Sequence, residues 1–484
     1  MPTPGGHPEG PLQGAVERLF ARHAARLLER PRRWWLLVAA ATVLLVAGLP
    51  RLTVDVRLNA FVVEDDPDFL AFQHLRQRFD NDELLLVVIH PPPGVSPLAP
   101  AMVRGLAAVH DAAARLDTVV WVSSLARARR LHLSGDTLSF ERWIPAGGLP
   151  PERAREVLTD PQVRGRLAGR YGETLILRLG LANSDSPTLV AELDRLLKER
   201  LPAGSRWSMV GTPVIKRALR RALYHDSRLL VPLATGAALL LLAVGLGSLR
   251  RAVPPLAAAL LASLWTLGLM GWARAPLTVV SAMAPALILI LALTDGVHLS
   301  TAVRRLGVRA ALLGVGPACL WTSVTTAAGF LGLALMGVPA LVATGVWMAV
   351  GVMVGLFHAV VTLPLFLVRA RTGGEVRELQ GWHPCRRPGL RVALSLAALA
   401  LLLPGIGRLH AETDLVRYFP ADGPLRVGYR DAEAALGGST PLSVMIERAD
   451  GRPLLDARTL GLVARLRDAL ADHPLVASVR TLPD

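Results

Sequence analysis

The chain has 484 residues, 52% of them hydrophobic, and it carries a formal net charge of +15. Its apolar residues are gathered into several runs of about 20, the length of helix that crosses a bilayer, which excludes an ordinary soluble domain. Nearly all the basic residues are arginines, and many lie at the ends of these runs, which argues against a nucleic-acid-binding surface.

Seven runs nearly free of charge divide the chain. They are residues 34–50, 228–249, 252–272, 277–302, 311–335, 340–368 and 390–409. The segments 51–227 and 410–484 have the composition of soluble protein. The sequence therefore predicts a polytopic α-helical membrane protein with soluble inserts, and no nucleic-acid partner.

The arginines of the short connections lie on one side of the predicted membrane, except for Arg274 in an outer turn. They precede the first run and lie in the connections between runs 2 and 3, runs 4 and 5, and runs 6 and 7. They are Arg18, Arg22, Arg26, Arg30, Arg32, Arg33, Arg250, Arg251, Arg304, Arg305, Arg309, Arg369, Arg371, Arg377, Arg386, Arg387 and Arg391. By the positive-inside rule the N-terminus is cytoplasmic and both inserts lie outside, as expected for a bacterial inner membrane.

The first insert alternates strand and helix patterns twice. The predicted elements are strand Leu84–Ile89, helix Pro100–Leu116, strand Val119–Val122, strand Thr174–Leu179, helix Pro187–Leu201 and strand Trp207–Val210. Two such units predict an α+β domain of the ferredoxin-like, split βαβ kind. The sequence carries no nucleophile, zinc or phosphate-loop motif, so we expect no enzyme activity, no metal and no cofactor.

The fourth run contains the acidic residue that most favours a transport function. Asp295 lies nine residues before Arg304, about 14 Å at the helical rise, and so near the middle of the membrane. An ionisable group at that depth is costly and is a functional candidate, here one that could take up and release protons. His298 lies at i+3 on the same face, whereas His358 in the sixth run is either a packing residue or a relay member. The alternative for Asp295 is neutralisation by an interhelical hydrogen bond with no transport role.

Threonines near Asp295 are candidates for relay support. Thr294 either bonds the Asp295 carboxyl or bonds a backbone carbonyl of its own helix. The small and hydroxylated residues of the fifth run either face Asp295 or serve only in tight helix packing. These candidates are Thr322, Thr325 and Thr326.

The chain contains an internal repeat. A shift of 357 positions aligns the two inserts without a gap, placing Asp65-Asp66-Pro67 on Asp422-Gly423-Pro424 and the strand pattern Leu85–Ile89 on Leu442–Ile446. Parallel repeats of this kind are typical of transporters. The second copy covers the first span and about 75 residues of insert, so we expect either a fragment of a longer product or a partner chain that supplies spans 8–12.

Three motifs together resemble the resistance–nodulation–division (RND) transporters of the MMPL and patched-like branch. They are Asp295–Leu299 with its D-x-x-H pattern, Thr325–Leu331, and Gly211–Pro213. The resemblance implies a proton-driven exporter of hydrophobic or lipid-like molecules with periplasmic porter domains, in which Asp295 belongs to a proton relay completed by residues of a span 10. Spans 2–6 also resemble a sterol-sensing-type five-helix unit, which implies sterol- or hopanoid-like cargo.

With this resemblance the expected organisation is an RND-type repeat whose second copy is incomplete. It comprises a cytoplasmic N-terminus (1–33), span 1 (34–50), a periplasmic porter domain (51–227), spans 2–6 (228–369), a cytoplasmic loop (370–389), span 7 (390–409) and the start of a second periplasmic domain (410–484). The expected relay residues are Asp295 and His298, supported by Thr294, Thr325 and Thr326. The proton gradient replaces a cofactor, and a homodimer or homotrimer is compatible. The alternatives are a lipid- or sterol-sensing or scaffold protein that does not pump, and an inactive fragment of a split transporter.

Overall fold

A computed structural model describes residues 11–63, 65–79, 83–134, 137–145, 149–368, 388–408, 414–438, 444–447, 456–474, 476, 479 and 481. The chain divides into two compact units. The helical unit comprises Met1–Phe69 and Leu219–Leu409, and the insert unit comprises Leu70–Ala218 and His410–Asp484.

The described residues are mostly helical. The helices are α1 (Pro11–Glu29), α2 (Pro31–Val46), α3 (Pro67–Phe79), α4 (Pro100–Ala113), α5 (Pro151–Thr159), α6 (Leu189–Arg200), α7 (Thr212–Gly245), α8 (Leu249–Trp272), α9 (Ala284–Leu306), α10 (Val308–Gly314), α11 (Gly316–Leu331), α12 (Pro339–Phe357), α13 (Leu363–Leu367), α14 (Pro388–Ile406), α15 (Pro424–Leu436) and α16 (Ala457–Ala471). The strands are β1 (Val54–Asp55), β2 (Leu84–His90), β3 (Val119–Ser124), β4 (Arg129–Ser134), β5 (Thr137–Arg142), β6 (Leu175–Leu181), β7 (Arg206–Gly211) and β8 (Leu277–Thr278).

Six helical segments are long and apolar enough to cross a membrane, counting the described residues alone. They are Pro31–Arg51, Thr212–Gly245, Leu249–Trp272, Ser281–Leu306, Gly316–Met336 and Pro339–Leu367, hereafter spans 1 to 6, and Val392–Ile406 is a shorter apolar helix. The expected start of span 2 at residue 228 falls inside α7, which begins at Thr212.

The helix of span 4 has clear sequence signals at both ends. A proline in the first turn of α9 has no N–H to leave unpaired, which suits the start of a helix. The helix stops at Gly307, whose φ of 83° is a conformation that glycine adopts without strain. Arg304 and Arg305 lie in the last turn, where positive charge complements the helix dipole.

Span 1 and span 3 cross at glycines, where their backbones come into contact. A Cβ at Gly48 would collide with the Gly268 carbonyl, and a Cβ at Gly268 would collide with the Leu45 carbonyl. Small residues at a crossing allow two helices to approach closely. In lipid no hydrophobic effect drives helices together, so the van der Waals contacts of this close packing stabilise the pair.

Span 6 changes pitch after α12. A π-helical turn at His358–Thr362 joins α12 to α13, and Pro364 lies in the first turn of α13. A proline cannot donate to the carbonyl four residues earlier, which here belongs to Val360. That carbonyl instead accepts a 3.0 Å hydrogen bond from Nε2 of His23 in α1, a helix the sequence pattern did not predict.

The insert unit is built on a four-stranded sheet in the order β3-β6-β2-β7, with every neighbouring pair antiparallel. Val87 of β2 lies opposite Leu177 of β6 and Met209 of β7. Each of the six elements predicted for this insert is present, with bounds shifted by a few residues. Helices α4 and α6 cover one face, where Met102 and Leu193 are fully buried.

The repeat is visible in where the elements begin. Helices α14, α15 and α16 each begin 357 residues after α2, α3 and α4, and the 3-10 turn Leu415–Tyr418 begins 357 residues after the turn Leu58–Phe61. The strand predicted at Leu442–Ile446 lies partly outside the described residues, and Val444–Ile446 have no assigned strand.

Candidate functional site

Asp295 is the central residue of α9, and its carboxyl is held from the neighbouring span 5. Ser323 of α11 donates a hydrogen bond of 2.9 Å from its Oγ to Oδ2 of Asp295. The Cys319 thiol, one turn earlier on α11, also hydrogen-bonds the carboxyl. Cys319 and Ser323 are 4% and 3% exposed, so this acid receives donors from a buried helix face.

The side of Asp295 away from α11 is open among the described residues. The Asp295 side chain is half-buried, whereas Thr294 and His298 are exposed. His298 lies one turn along α9 and interacts electrostatically with the carboxylate. The geometry thus gives a carboxyl that is fixed on one side and accessible on the other.

The threonines named from the sequence bond their own helices. Thr294 donates to the Ile290 carbonyl at 3.1 Å, and Thr326 donates to the Thr322 carbonyl at 2.7 Å. Thr325 donates to the carbonyls of Trp321 and Thr322 at 2.9 and 3.0 Å. The structure therefore brings Asp295 and His298 together and adds Ser323 and Cys319, which sequence reasoning missed.

His358 lies deep in the helical unit, at the π-helical turn of span 6. Its side chain has no exposed surface, and its Nδ1 lies 2.8 Å from Oγ1 of Thr362. Its Nε2 has no hydrogen-bond partner among the described residues. The ring packs edge-on against Trp265 at 4.4 Å between centroids, so its surroundings are those of a packing histidine.

An apolar cavity of about 450 Å³ lies beside this part of the bundle. It is lined by α8, α11 and α12 through residues that include Trp265, Ala327, Leu331, Val350, Met353 and Phe357. Ala327 is one helical turn from Ser323 on the same buried stripe of α11. A cavity of this size and lining suits a hydrocarbon chain or a small apolar molecule.

Burial or a hydrogen bond shifts the pKa of several titratable groups in the insert unit. Burial lowers the pKa of His110, whose Nδ1 lies 2.9 Å from the Ser124 hydroxyl. The hydrogen bond from Arg127 lowers the pKa of the Asp111 carboxyl. Burial raises the pKa of the Tyr429 hydroxyl. No group of three or more His, Cys, Asp or Glu residues is placed to hold a metal in the described part of the chain.

The helices and the bundle site define a polytopic membrane protein with an α+β insert. One similar curated protein, from Methanocaldococcus jannaschii, is named as a putative membrane protein. It is 26% identical over 211 residues, which are 41% of this chain and 54% of the relative, so the match spans about half of that protein's length. No protein-family model matches the chain.

Proposed function

We propose that this protein is a proton-driven exporter of hydrophobic or lipid-like molecules, of the RND type and its MMPL and patched-like branch, in a bacterial inner membrane. The observation that carries the proposal is the Asp295 carboxyl, central in a membrane-spanning helix, bonded by Ser323 and Cys319 on one side and open on the other. A carboxyl held in this way can exchange protons without losing its position, and ionisable groups at this depth in membrane proteins commonly mark proton pathways.

Two further features support the proposal. The insert sheet has the order β3-β6-β2-β7 with α4 and α6 on one face, which fits the ferredoxin-like, split βαβ fold expected of a porter domain. The apolar cavity lies one helical turn along α11 from Ser323 and suits a hydrophobic substrate. Protonation of Asp295 would bias its contacts with span 5 and so the arrangement of the bundle.

The test is movement of a labelled lipid in proteoliposomes. The purified chain is reconstituted with an NBD-labelled phospholipid, a pH gradient is imposed, and transfer between leaflets is followed by dithionite quenching. We expect transfer that depends on the gradient, disappears in Asp295→Asn, and persists in Asp226→Asn, which alters an exposed acid of α7. Wild-type transfer that ignores the gradient would refute proton drive.

The apolar cavity also supports a second function, a lipid-binding membrane protein that does not pump. In that case the chain would bind a photoactivatable lipid at the lining of the cavity. Binding would be unchanged in Asp295→Asn, and no gradient-dependent transfer would occur. The same proteoliposomes therefore distinguish the two functions.

A further inference from the structure

A second cavity, of about 310 Å³, lies where helices α1, α9, α10 and α13 of the helical unit meet. It shares no lining residue with the apolar cavity beside span 5. Its lining includes Leu28 of α1, Val303 and Leu306 of α9, Val308 and Arg309 of α10, and Leu367 of α13. Val303 and Leu367 are buried, whereas Leu28 and Leu306 are exposed, so this cavity, the α1–α10 groove, runs from the packed interior to the surface.

One wall of the groove is fixed by the packing of α1 on α10. Ala24 and Leu27 of α1 cluster with Ala311 and Leu312 of α10, and none of these four side chains has exposed surface. Leu28 follows directly in the same helix, so its place at the groove is set by this packing. The groove is therefore part of the folded bundle.

Positive charge surrounds the groove and is not balanced by acids of the spans. Asp295 is the only acidic residue in the segment 227–374, which contains spans 2 to 6. Arg304 and Arg251 interact as like charges, and Nε of Arg304 is buried with no hydrogen-bond partner in the described part of the chain. Arg309 is exposed and forms no ion pair with another described residue. This end of the bundle therefore favours an anion supplied from outside the spans.

An acidic phospholipid has both properties that the groove favours. The fork of N–H donors on the Arg309 guanidinium suits phosphate oxygens, and the leucines and valines of the lining suit an acyl chain. Leu306 ends span 4 and is 62% exposed, which places the mouth of the groove at the end of a membrane-spanning helix, near the lipid headgroups. Basic pockets between membrane helices bind acidic headgroups at this level.

We propose that the α1–α10 groove binds one acidic phospholipid of the surrounding bilayer, with its phosphate on Arg309 and an acyl chain along Leu28 and Leu306. The lipid contacts both α1 and α10, so its binding stabilises the attachment of the N-terminal helix to the bundle. The site lies apart from Asp295 and the cavity beside it. This inference is independent of the proposed transport function.

The test is lipid binding to the purified full chain, measured by native mass spectrometry from a neutral detergent without a pH gradient. Phosphatidylglycerol should bind at one saturable site, and phosphatidylcholine with the same acyl chains should bind several-fold more weakly. Arg309→Gln should weaken phosphatidylglycerol binding about fivefold, the effect of one arginine near an anionic headgroup. Arg250→Gln is the matched control, since it removes an exposed arginine of the α8 first turn that does not line the groove.

A second variant tests the apolar wall. Leu28→Asp should weaken phosphatidylglycerol binding at least as much as Arg309→Gln does, because it removes an acyl-chain contact and adds a charge that repels the phosphate. Leu28 is exposed, so the change leaves the core intact, and an unaltered melting temperature in lipid-free detergent checks this.

Three results would overturn the proposal. The first is the absence of saturable phosphatidylglycerol binding to the wild type. The second is an equal loss of binding in Arg309→Gln and Arg250→Gln, which would show that overall charge, and not the groove, attracts the lipid. The third is displacement of the lipid by millimolar inorganic phosphate, which would show a site for free anions.

Discussion

Ser323 of span 5 donates its hydroxyl hydrogen to Asp295 of span 4 across 2.9 Å, and this bond joins two helices at the one acid in the middle of α9. Ser323 is buried, so no water molecule takes the place of its hydroxyl as a donor to Asp295 when the bond is lost. Loss of the donor would leave the carboxyl under-bonded in an apolar setting, where unsatisfied polar groups are costly.

Ser323→Ala should therefore slow proton-driven lipid transfer by roughly tenfold, since a hydrogen bond to an ionisable group contributes about 1.5 kcal/mol or more. Thr325→Val is the matched control, because its hydroxyl bonds carbonyls of its own helix, and it should stay within about twofold of wild type by the same scale. Infrared difference spectra give a second readout: the carboxyl stretch of Asp295 should move to higher wavenumber in Ser323→Ala alone. An unchanged band would contradict the Ser323 contact itself.

The identity of this donor shows what the sequence determines and what packing adds. Helical periodicity placed hydroxyl groups at residues 322, 323, 325 and 326 of one helix, but it does not say which face meets span 4. A signal was present: Cys319, Ser323 and Ala327 are small residues spaced four apart, and all three are buried. Small residues at that spacing mark the close-packed side of a membrane helix.

Other features also divide into those that local sequence determines and those that depend on packing between distant parts of the chain. Spans 1 to 6 and the four sheet strands β2, β3, β6 and β7 could be predicted because they depend on local composition, whereas the hairpin β4–β5 and helices α3 and α15 were not predicted. The docking of α15 on the first copy's sheet could not be predicted, because it pairs residues more than 300 positions apart, such as His90 and Asp431. The bond from His23 to the Val360 carbonyl in the π-helical turn could not be predicted either, because it joins residues 337 positions apart.

The glycine crossing of spans 1 and 3 predicts a large effect from one methyl group. Gly268→Ala should destabilise the helical unit by about 1–3 kcal/mol, because its Cβ would collide with the backbone carbonyl of Leu45. Gly236→Ala in α7 is the control: no atom lies within 4 Å of a Cβ there, so alanine should be neutral or slightly stabilising. Thermal unfolding in detergent, followed by size-exclusion chromatography of heated samples, measures the difference. Equal melting of the two variants would rule out the close crossing.

The distribution of arginines predicts the orientation of the chain. With native cysteines replaced by serine, a cysteine at Tyr171 should react with a membrane-impermeant maleimide on intact cells, because that residue is 74% exposed in the insert unit. A cysteine at the exposed Ala310, which follows Arg304, Arg305 and Arg309, should react only after the cells are opened. The reverse labelling pattern would show that the N-terminus lies outside.

The buried environment of His110 predicts that the insert unit loses stability in mild acid. Burial, the largest effect, holds the pKa of His110 in the folded protein below its ordinary value of 6.5. As pH falls through 6.5, the unfolded chain therefore binds a proton that the folded chain does not, and the equilibrium shifts towards unfolding. The stabilisation is complete above 6.5 and is lost below it. Hydrogen exchange of β3 and α4, corrected for the intrinsic effect of pH, should show protection falling between about pH 7.5 and about pH 5.5.

His110→Gln should weaken that pH dependence, because glutamine does not titrate and can still bond the Ser124 hydroxyl, which lies 2.9 Å from Nδ1 in the wild type. His225→Gln, at an exposed position of α7, should leave it unchanged and controls for the removal of a histidine as such. The comparison isolates His110 because the wild type and His110→Gln share every other titrating group, and His225→Gln shows the effect of removing an unrelated histidine. If His110→Gln loses as much protection in acid as the wild type does, then His110 is not the group that couples proton binding to the folding of this insert.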